Sequence, residues 1–145
     1  VDVLAGWRQA DADIRLVNRT LSRAEELAER FGTGIQAHHW QDADRLAATS
    51  DFVVNTTSVG LNGQGEAPLD VARLPEHATV VDIVYTPLQT PLLAAAAKRG
   101  LKTVDGLGML LHQAVPGFER WFGVRPQVTD LLRGIIVADI EGGRS

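Results

Sequence analysis

Cysteine is absent from the 145 residues, which excludes disulfides and thiolate metal sites and gives no support to secretion. No apolar run approaches the roughly 18–20 residues that a membrane-spanning helix needs. A basic excess is also lacking. The formal net charge is −4, where a broad nucleic-acid-binding surface requires cationic surplus. There are no internal repeats and no low-complexity tracts. The absence of a signal-peptide pattern points to the cytoplasm. The opening residues, Val1-Asp2-Val3-Leu4-Ala5, carry no initiator methionine and begin inside an amphipathic segment. The expectation is a piece of a longer polypeptide, with a processed mature protein as the competing reading.

What is present is ordinary for a soluble globular protein: 45% hydrophobic and 22% charged residues, in a length sufficient for one domain with a core. Val1, Leu4 and Trp7 recur at helical spacing, as at the end of a helix. Asp11-Ala12-Asp13 reads as a turn and Ile14 to Val17 as a short buried strand. The next helix, capped by Thr20 or Ser22 with Glu25 and Glu26 in its first turn, presents Leu21, Ala24, Leu27, Ala28 and Phe31 on one face and stops at Gly32. Gly34 to Ala37 is a weak second strand, Gln41 to Ala48 a short helix with Leu46 and Ala47 inward, and Asp51 to Asn55 a third strand. Leu61 to Pro75 is loop with a helical turn around Asp70 to Arg73. Thr79 to Val84 reads as a strand buried on both faces. Thr90 caps a helix with Pro91 at its first position, and Arg99-Gly100 ends it. Lys102 to Val104 is a fifth strand. A helix from about Leu107 to Phe122 follows, interrupted or bent near Pro116-Gly117, and Pro126 opens the last helix. Strands alternating with helices predict an α/β fold with a parallel sheet built from βαβ crossovers.

In such a sheet, ligands bind outside the carboxyl ends of the strands. Four polar or glycine-bearing turns fall along that edge: Asn18-Arg19-Thr20, Asn55-Thr56-Thr57-Ser58, Tyr85-Thr86-Pro87 and Asp105-Gly106-Leu107-Gly108. Arg19 and Arg23 suit a phosphate, because a guanidinium gives paired, charge-assisted hydrogen bonds. A solvated loop leading into an arginine-bearing surface helix is the alternative. Thr56, Thr57 and Ser58 offer hydroxyls to a ribose or pyrophosphate, or form a structural turn. Tyr85 is a phenolic donor and acceptor or a packing residue. Gln113, one turn beyond Met109 on the same helix face, reads a substrate hydroxyl or faces solvent. His38 and His39 are neighbours in a strand, point to opposite faces and do not readily share a metal ion. His77 and His112 have no acidic partner at an obvious spacing. No metal site is assigned.

Taken together, these residues resemble the nucleotide-binding half of the shikimate dehydrogenase family, over nearly the whole chain. The resemblance implies a Rossmann-like parallel sheet with flanking helices, NADP as cofactor, and reduction of 3-dehydroshikimate to shikimate in aromatic amino-acid biosynthesis. It implies that Asn18, Arg19, Thr20 and Arg23 hold the 2′-phosphate of NADP. The run Asn55 to Leu61, with Thr56, Thr57, Ser58 and Val59, looks like the family's cofactor loop. Asp82 to Pro87, with Thr90 and Leu92 beyond, looks like its segment at the nicotinamide, where Ile83 packs near the ring and Tyr85 faces substrate. Gly106 to Ala114 looks like its closing motif, in which Gly106 and Met109 line the nicotinamide pocket and Gln113 contacts a substrate hydroxyl.

Two departures accompany the resemblance. The family's glycine-rich phosphate loop is absent, and the first, central strand with it; Val1 to Ala10 looks like the remainder of the helix that follows that loop. Catalysis in the family rests on a lysine and an aspartate of an N-terminal substrate domain. The lysines here, Lys98 and Lys102, lie in no matching motif, so no catalytic residue is named and the chain alone is expected to be inactive. The expected organisation is a partial NADP-binding domain over residues 1–125 and a C-terminal helix and tail over 126–145, packed on this domain or on the substrate domain. A sheet without its central strand exposes unpaired backbone groups, which invites pairing with another chain. A quinate or aminoshikimate dehydrogenase and a non-catalytic nucleotide-binding module are the alternatives.

Overall fold

The computed structural model describes residues 12–32, 34–63, 65 and 67–142. The helix end read over Val1 to Ala10, and Asp11 of the following turn, lie outside the described residues. The chain divides into two compact units, residues 1–49 and 50–145.

In the first unit, β1 (Ile14–Asn18) pairs in parallel with β2 (Ile35–His39), Ile14 opposite Ile35 and Asn18 opposite His39. Helix α1 (Leu21–Phe31) connects them and packs on both strands, burying Ala24. Gly32 ends α1 at φ 80°, a conformation that costs a residue without Cβ little. Glu25 and Glu26 fall beyond the first turn, because the helix already begins at Leu21. The second strand starts one residue later and ends two residues later than its pattern suggested, and includes both histidines. A single turn of tight helix, Trp40–Asp42, leads into α2 (Ala43–Ala47), where Leu46 and Ala47 face the core as expected.

The second unit is built on three parallel strands in the order β3 (Phe52–Asn55), β4 (Thr79–Asp82), β5 (Lys102–Val104). Strand β4 is central, and its inward positions are Val80 and Asp82; Thr79 and Val81 are only half-buried. The expectation of burial on both faces is thereby corrected. Alternate residues of a strand face opposite sides, and only one side here lies against the core. Helix α3 (Pro91–Lys98) packs on β4 and β5 through Leu92, Leu93 and Ala96. Each buried leucine contributes about 1.5–3 kcal/mol. Pro91 stands at the first turn and Thr90 Oγ1 caps it, accepting from Leu93 N at 3.3 Å.

Helix α4 (Gly106–Phe122) runs through Pro116 without an interruption. It ends at Gly123 in the left-handed conformation. The last helix, α5 (Asp130–Gly142), starts four residues after Pro126. Thr129 sets the start: its hydroxyl accepts from Leu132 N and its carbonyl from Arg133 N. Among the described residues no helix is long and apolar enough to cross a membrane.

Candidate functional site

The first unit contributes the end of β1 and the start of α1. Asn18 Oδ1 accepts from Thr20 N at 2.9 Å, closing a side-chain turn that delivers the chain into the helix. Thr20 occupies the cap position, yet its hydroxyl makes no capping bond. The first turn of α1 holds no acidic residue. Arg19 and Arg23 are both exposed, and neither forms an ion pair with a described residue. Arg15, by contrast, is tied up by Asp13 at 2.9 Å and Thr49 at 2.7 Å. Two uncommitted guanidinium groups therefore stand beside a helix N-terminus, whose amides and dipole favour an anion. His38 is half-buried and His39 exposed at the end of β2; Nε2 of His38 has no hydrogen-bond partner among the described residues.

The second unit contributes three loops. After β3, Asn55 is buried and its Oδ1 accepts from Thr57 N at 3.0 Å and Thr57 Oγ1 at 2.7 Å. Thr57 Oγ1 in turn accepts from Val59 N at 3.1 Å. The three neighbouring hydroxyls are thus not equivalent. That of Thr57 is committed to shaping the turn, whereas Thr56 and Ser58 are exposed with no side-chain partner among the described residues. Val59 is half-buried behind them.

After β4, Ile83 is half-buried and Tyr85 exposed. Ile83 N donates to Asn55 O at 3.1 Å and Asn62 N to Thr86 O at 2.9 Å, which ties this segment to the loop after β3. After β5, Asp105 Oδ1 accepts from Leu107 N at 3.0 Å and caps α4. Gly106 is pressed onto the carbonyls of Ile83 and Val84; a Cβ there would lie 2.9 Å from Val84 O and nearer still to Ile83. Glycine is required for that approach. One and two turns on, Met109 and Gln113 are exposed on α4.

The second unit therefore places the loops carrying Thr56, Ser58, Ile83, Tyr85 and Gly106 at the carboxyl ends of β3, β4 and β5. Two aspartates carry structural weight there that their residue type does not show. Asp82 is wholly buried, and Asp105 also meets Arg133 of α5. The available signal for Asp82 was an acidic residue closing an otherwise apolar strand.

A family model described as the shikimate 5′-dehydrogenase C-terminal domain matches residues 106–132, which are α4 and the start of α5. Shikimate dehydrogenase (NADP(+)) of Chelativorans sp. is 61% identical over 132 residues, covering 91% of this chain and 47% of the relative. Over most of its length the chain is similar to the shikimate dehydrogenases. It spans about half the length of the curated relatives it matches. The solved shikimate 5-dehydrogenase of Thermus thermophilus, in complex with NADP(H) and shikimate, is 38% identical with a TM-score of 0.70, over 83% of this chain and 44% of that one. Quinate dehydrogenase from Corynebacterium glutamicum in complex with NAD is 30% identical with a TM-score of 0.76, over 84% and 45%. The α/β, Rossmann-like architecture with parallel strands and flanking helices is common to the family and to this chain.

Proposed function

We propose that this chain is the NADP-binding part of a shikimate dehydrogenase, an oxidoreductase that reduces 3-dehydroshikimate to shikimate with NADPH. The observation that carries the reading is the uncommitted pair Arg19 and Arg23 at the N-terminus of α1. A dinucleotide without the 2′-phosphate is usually read there by a carboxylate on the ribose. In this reading Asn18, through its turn with Thr20, sets the loop, and Arg19 and Arg23 grip the 2′-phosphate. Thr56 and Ser58 donate to the cofactor, with Thr57 and Val59 holding the loop's shape. Gly106 lets α4 come close enough for Met109 and Ile83 to line the nicotinamide side. Tyr85 and Gln113 face substrate hydroxyls. The bound cofactor supplies the hydride, and protein groups supply orientation and proton transfer.

No catalytic residue is assigned within this chain, and the 145 residues by themselves carry no dehydrogenase activity in this reading. Measurable shikimate oxidation by the isolated chain would overturn that part. Residues 1–125 form the partial cofactor domain and 126–145 its C-terminal helix and tail, for which the Arg133–Asp105 bond favours packing on this domain. A cytoplasmic location, a role in aromatic amino-acid biosynthesis and self-association through an open sheet edge complete the proposal. A quinate-type substrate is the second reading, favoured by the likeness to the Corynebacterium quinate dehydrogenase. Comparing kcat/KM for quinate and shikimate, in a polypeptide joining this chain to the substrate half its relatives carry, separates the two.

Calorimetry with NADPH and NADH tests the cofactor assignment. A charged hydrogen bond contributes about 1.5–3 kcal/mol, so Arg19→Ala should weaken NADPH roughly tenfold to a hundredfold and leave NADH unchanged. Equal affinity for the two nucleotides, or no loss on Arg19→Ala, would contradict it.

A further inference from the structure

Among the described residues of the second unit, Asp82 and Thr90 are the two wholly buried polar side chains, each 0% exposed. They touch. Thr90 Oγ1 donates to Asp82 Oδ2 at 2.7 Å, while Asp82 Oδ1 accepts from Asn55 Nδ2 at 3.1 Å and from Val84 N at 3.0 Å. Among the described residues no cationic side chain pairs with the carboxylate. It is satisfied by three donors alone. A buried polar group left without partners costs about 1–3 kcal/mol, more when charged. A plain core would place a hydrophobic residue here. The polar group is retained where it fixes a geometry, and the donors show which one.

The three donors come from two loops. Asn55 closes the turn after β3: its Nδ2 also donates to Val59 O at 3.2 Å, and its Oδ1 takes both donors of Thr57. Val84 N belongs to the segment after β4 that carries Ile83 and Tyr85. Thr90 caps α3 and so fixes the far end of that segment. Gly60, at φ 94°, lies against Thr90, where a Cβ would come 3.3 Å from Thr90 Cβ. The loop after β3 is thereby seated on the residue that anchors the loop after β4.

We infer that Asp82 and Thr90 are positioning residues that hold the 56–60 and 83–90 loops in the shape that receives the nicotinamide end of the dinucleotide. This rests on the cofactor reading above. The pair belongs to the second unit and Arg19 and Arg23 to the first, so in this inference it has no part in gripping the 2′-phosphate.

The test uses the full chain and two probes, NADP+ and adenosine 2′,5′-bisphosphate, which keeps the 2′-phosphate and lacks the nicotinamide. When a loop spends only a tenth of its time in the binding shape, apparent affinity falls about tenfold. Asp82→Asn and Thr90→Val should weaken NADP+ by about that factor and leave adenosine 2′,5′-bisphosphate unchanged. Thr90→Ser, which keeps the hydroxyl, should restore NADP+ binding. Amide exchange at Thr57, Val59 and Val84 should quicken in the weakened variants only. Should Asp82→Asn fail to fold, the Val and Ser variants of Thr90 decide. Equal NADP+ affinity in Thr90→Val and Thr90→Ser, or parallel loss of both probes, overturns the inference while the cofactor reading stands. A wild-type chain that binds neither probe overturns both.

Discussion

Arg133 Nη2 of α5 lies 2.5 Å from Asp105 Oδ2, while the other oxygen of that carboxylate caps α4 through Leu107 N at 3.0 Å. One side chain thus starts one helix and fastens another. Both members are partly exposed, with side chains 37% and 26% accessible, so the ion pair itself is worth at most about 1 kcal/mol. The cap adds about the same. Arg133→Ala should therefore cost less stability in urea unfolding than Asp105→Ala, which removes both bonds. A cycle with the double variant should show the two substitutions to be non-additive. Equal losses for the two single variants would contradict the shared role.

Gly106 makes a sharper case. The atoms a Cβ would meet are the carbonyls of Ile83 and Val84, backbone that cannot rotate aside as a side chain would. Gly106→Ala is expected to destabilise by about 1–3 kcal/mol, as overpacking does. It should also displace the start of α4 from the end of β4. Gly108→Ala is the control, because a Cβ there meets nothing within 4 Å. A denaturation midpoint equally affected by the two would refute the close-approach account.

For Arg19 and Arg23, exposure implies screening. Interactions of exposed charges weaken as the Debye length shrinks from about 30 Å at 0.01 M salt to about 8 Å at 0.15 M. NADPH affinity should fall over that range. In the Arg19→Ala, Arg23→Ala double variant the dependence should flatten and the preference over NADH disappear. Persistence of the preference would move phosphate recognition elsewhere.

The Asp42 carboxyl is held below its ordinary value of 3.8 by the Arg45 side chain, 2.9 Å away, with smaller help from His38 and His39. A folded-state value lower than the unfolded one means the stabilisation is present above the unfolded value and fades as pH falls through the folded one. The loss of that stabilisation is confined to acid solution below about pH 4. Carboxyl-carbon NMR should show the Asp42 midpoint rising in Arg45→Met, and an unmoved midpoint would assign the shift to another cause.

Local chemistry was legible where one residue type answers one requirement. Gly32 stops α1, Pro91 and Thr90 start α3, and Arg99-Gly100 ends it, because backbone freedom, a fixed φ and a capping hydroxyl act over a few residues. The last helix was misplaced for the same reason: Pro126 satisfies the rule for a first-turn proline as well as Pro91 does. What the rule omits is that Thr129 offers Leu132 N a capping oxygen, and that Val128 and Thr129 are poor helix formers. The burial of β4 was misjudged because a run of β-branched residues does not say how many of its faces are covered.

For the site, the sequence by itself determined the donors: two arginines beside a helix start, three hydroxyls after a strand, a tyrosine at a strand end and a glutamine on a helix. Only the tertiary structure decided which of them are free. The Thr57 hydroxyl is used by Asn55, while Thr56 and Ser58 are exposed; among the described residues Arg15 is paired, while Arg19 and Arg23 are not. It also decided that Asp82, one polar residue at the end of an apolar strand, joins loops separated by 27 positions along the chain from Asn55 and eight from Thr90. Residue type fixes what a group is able to donate or accept. Which partner it meets depends on contacts between distant segments, and those exist only once the strands have paired.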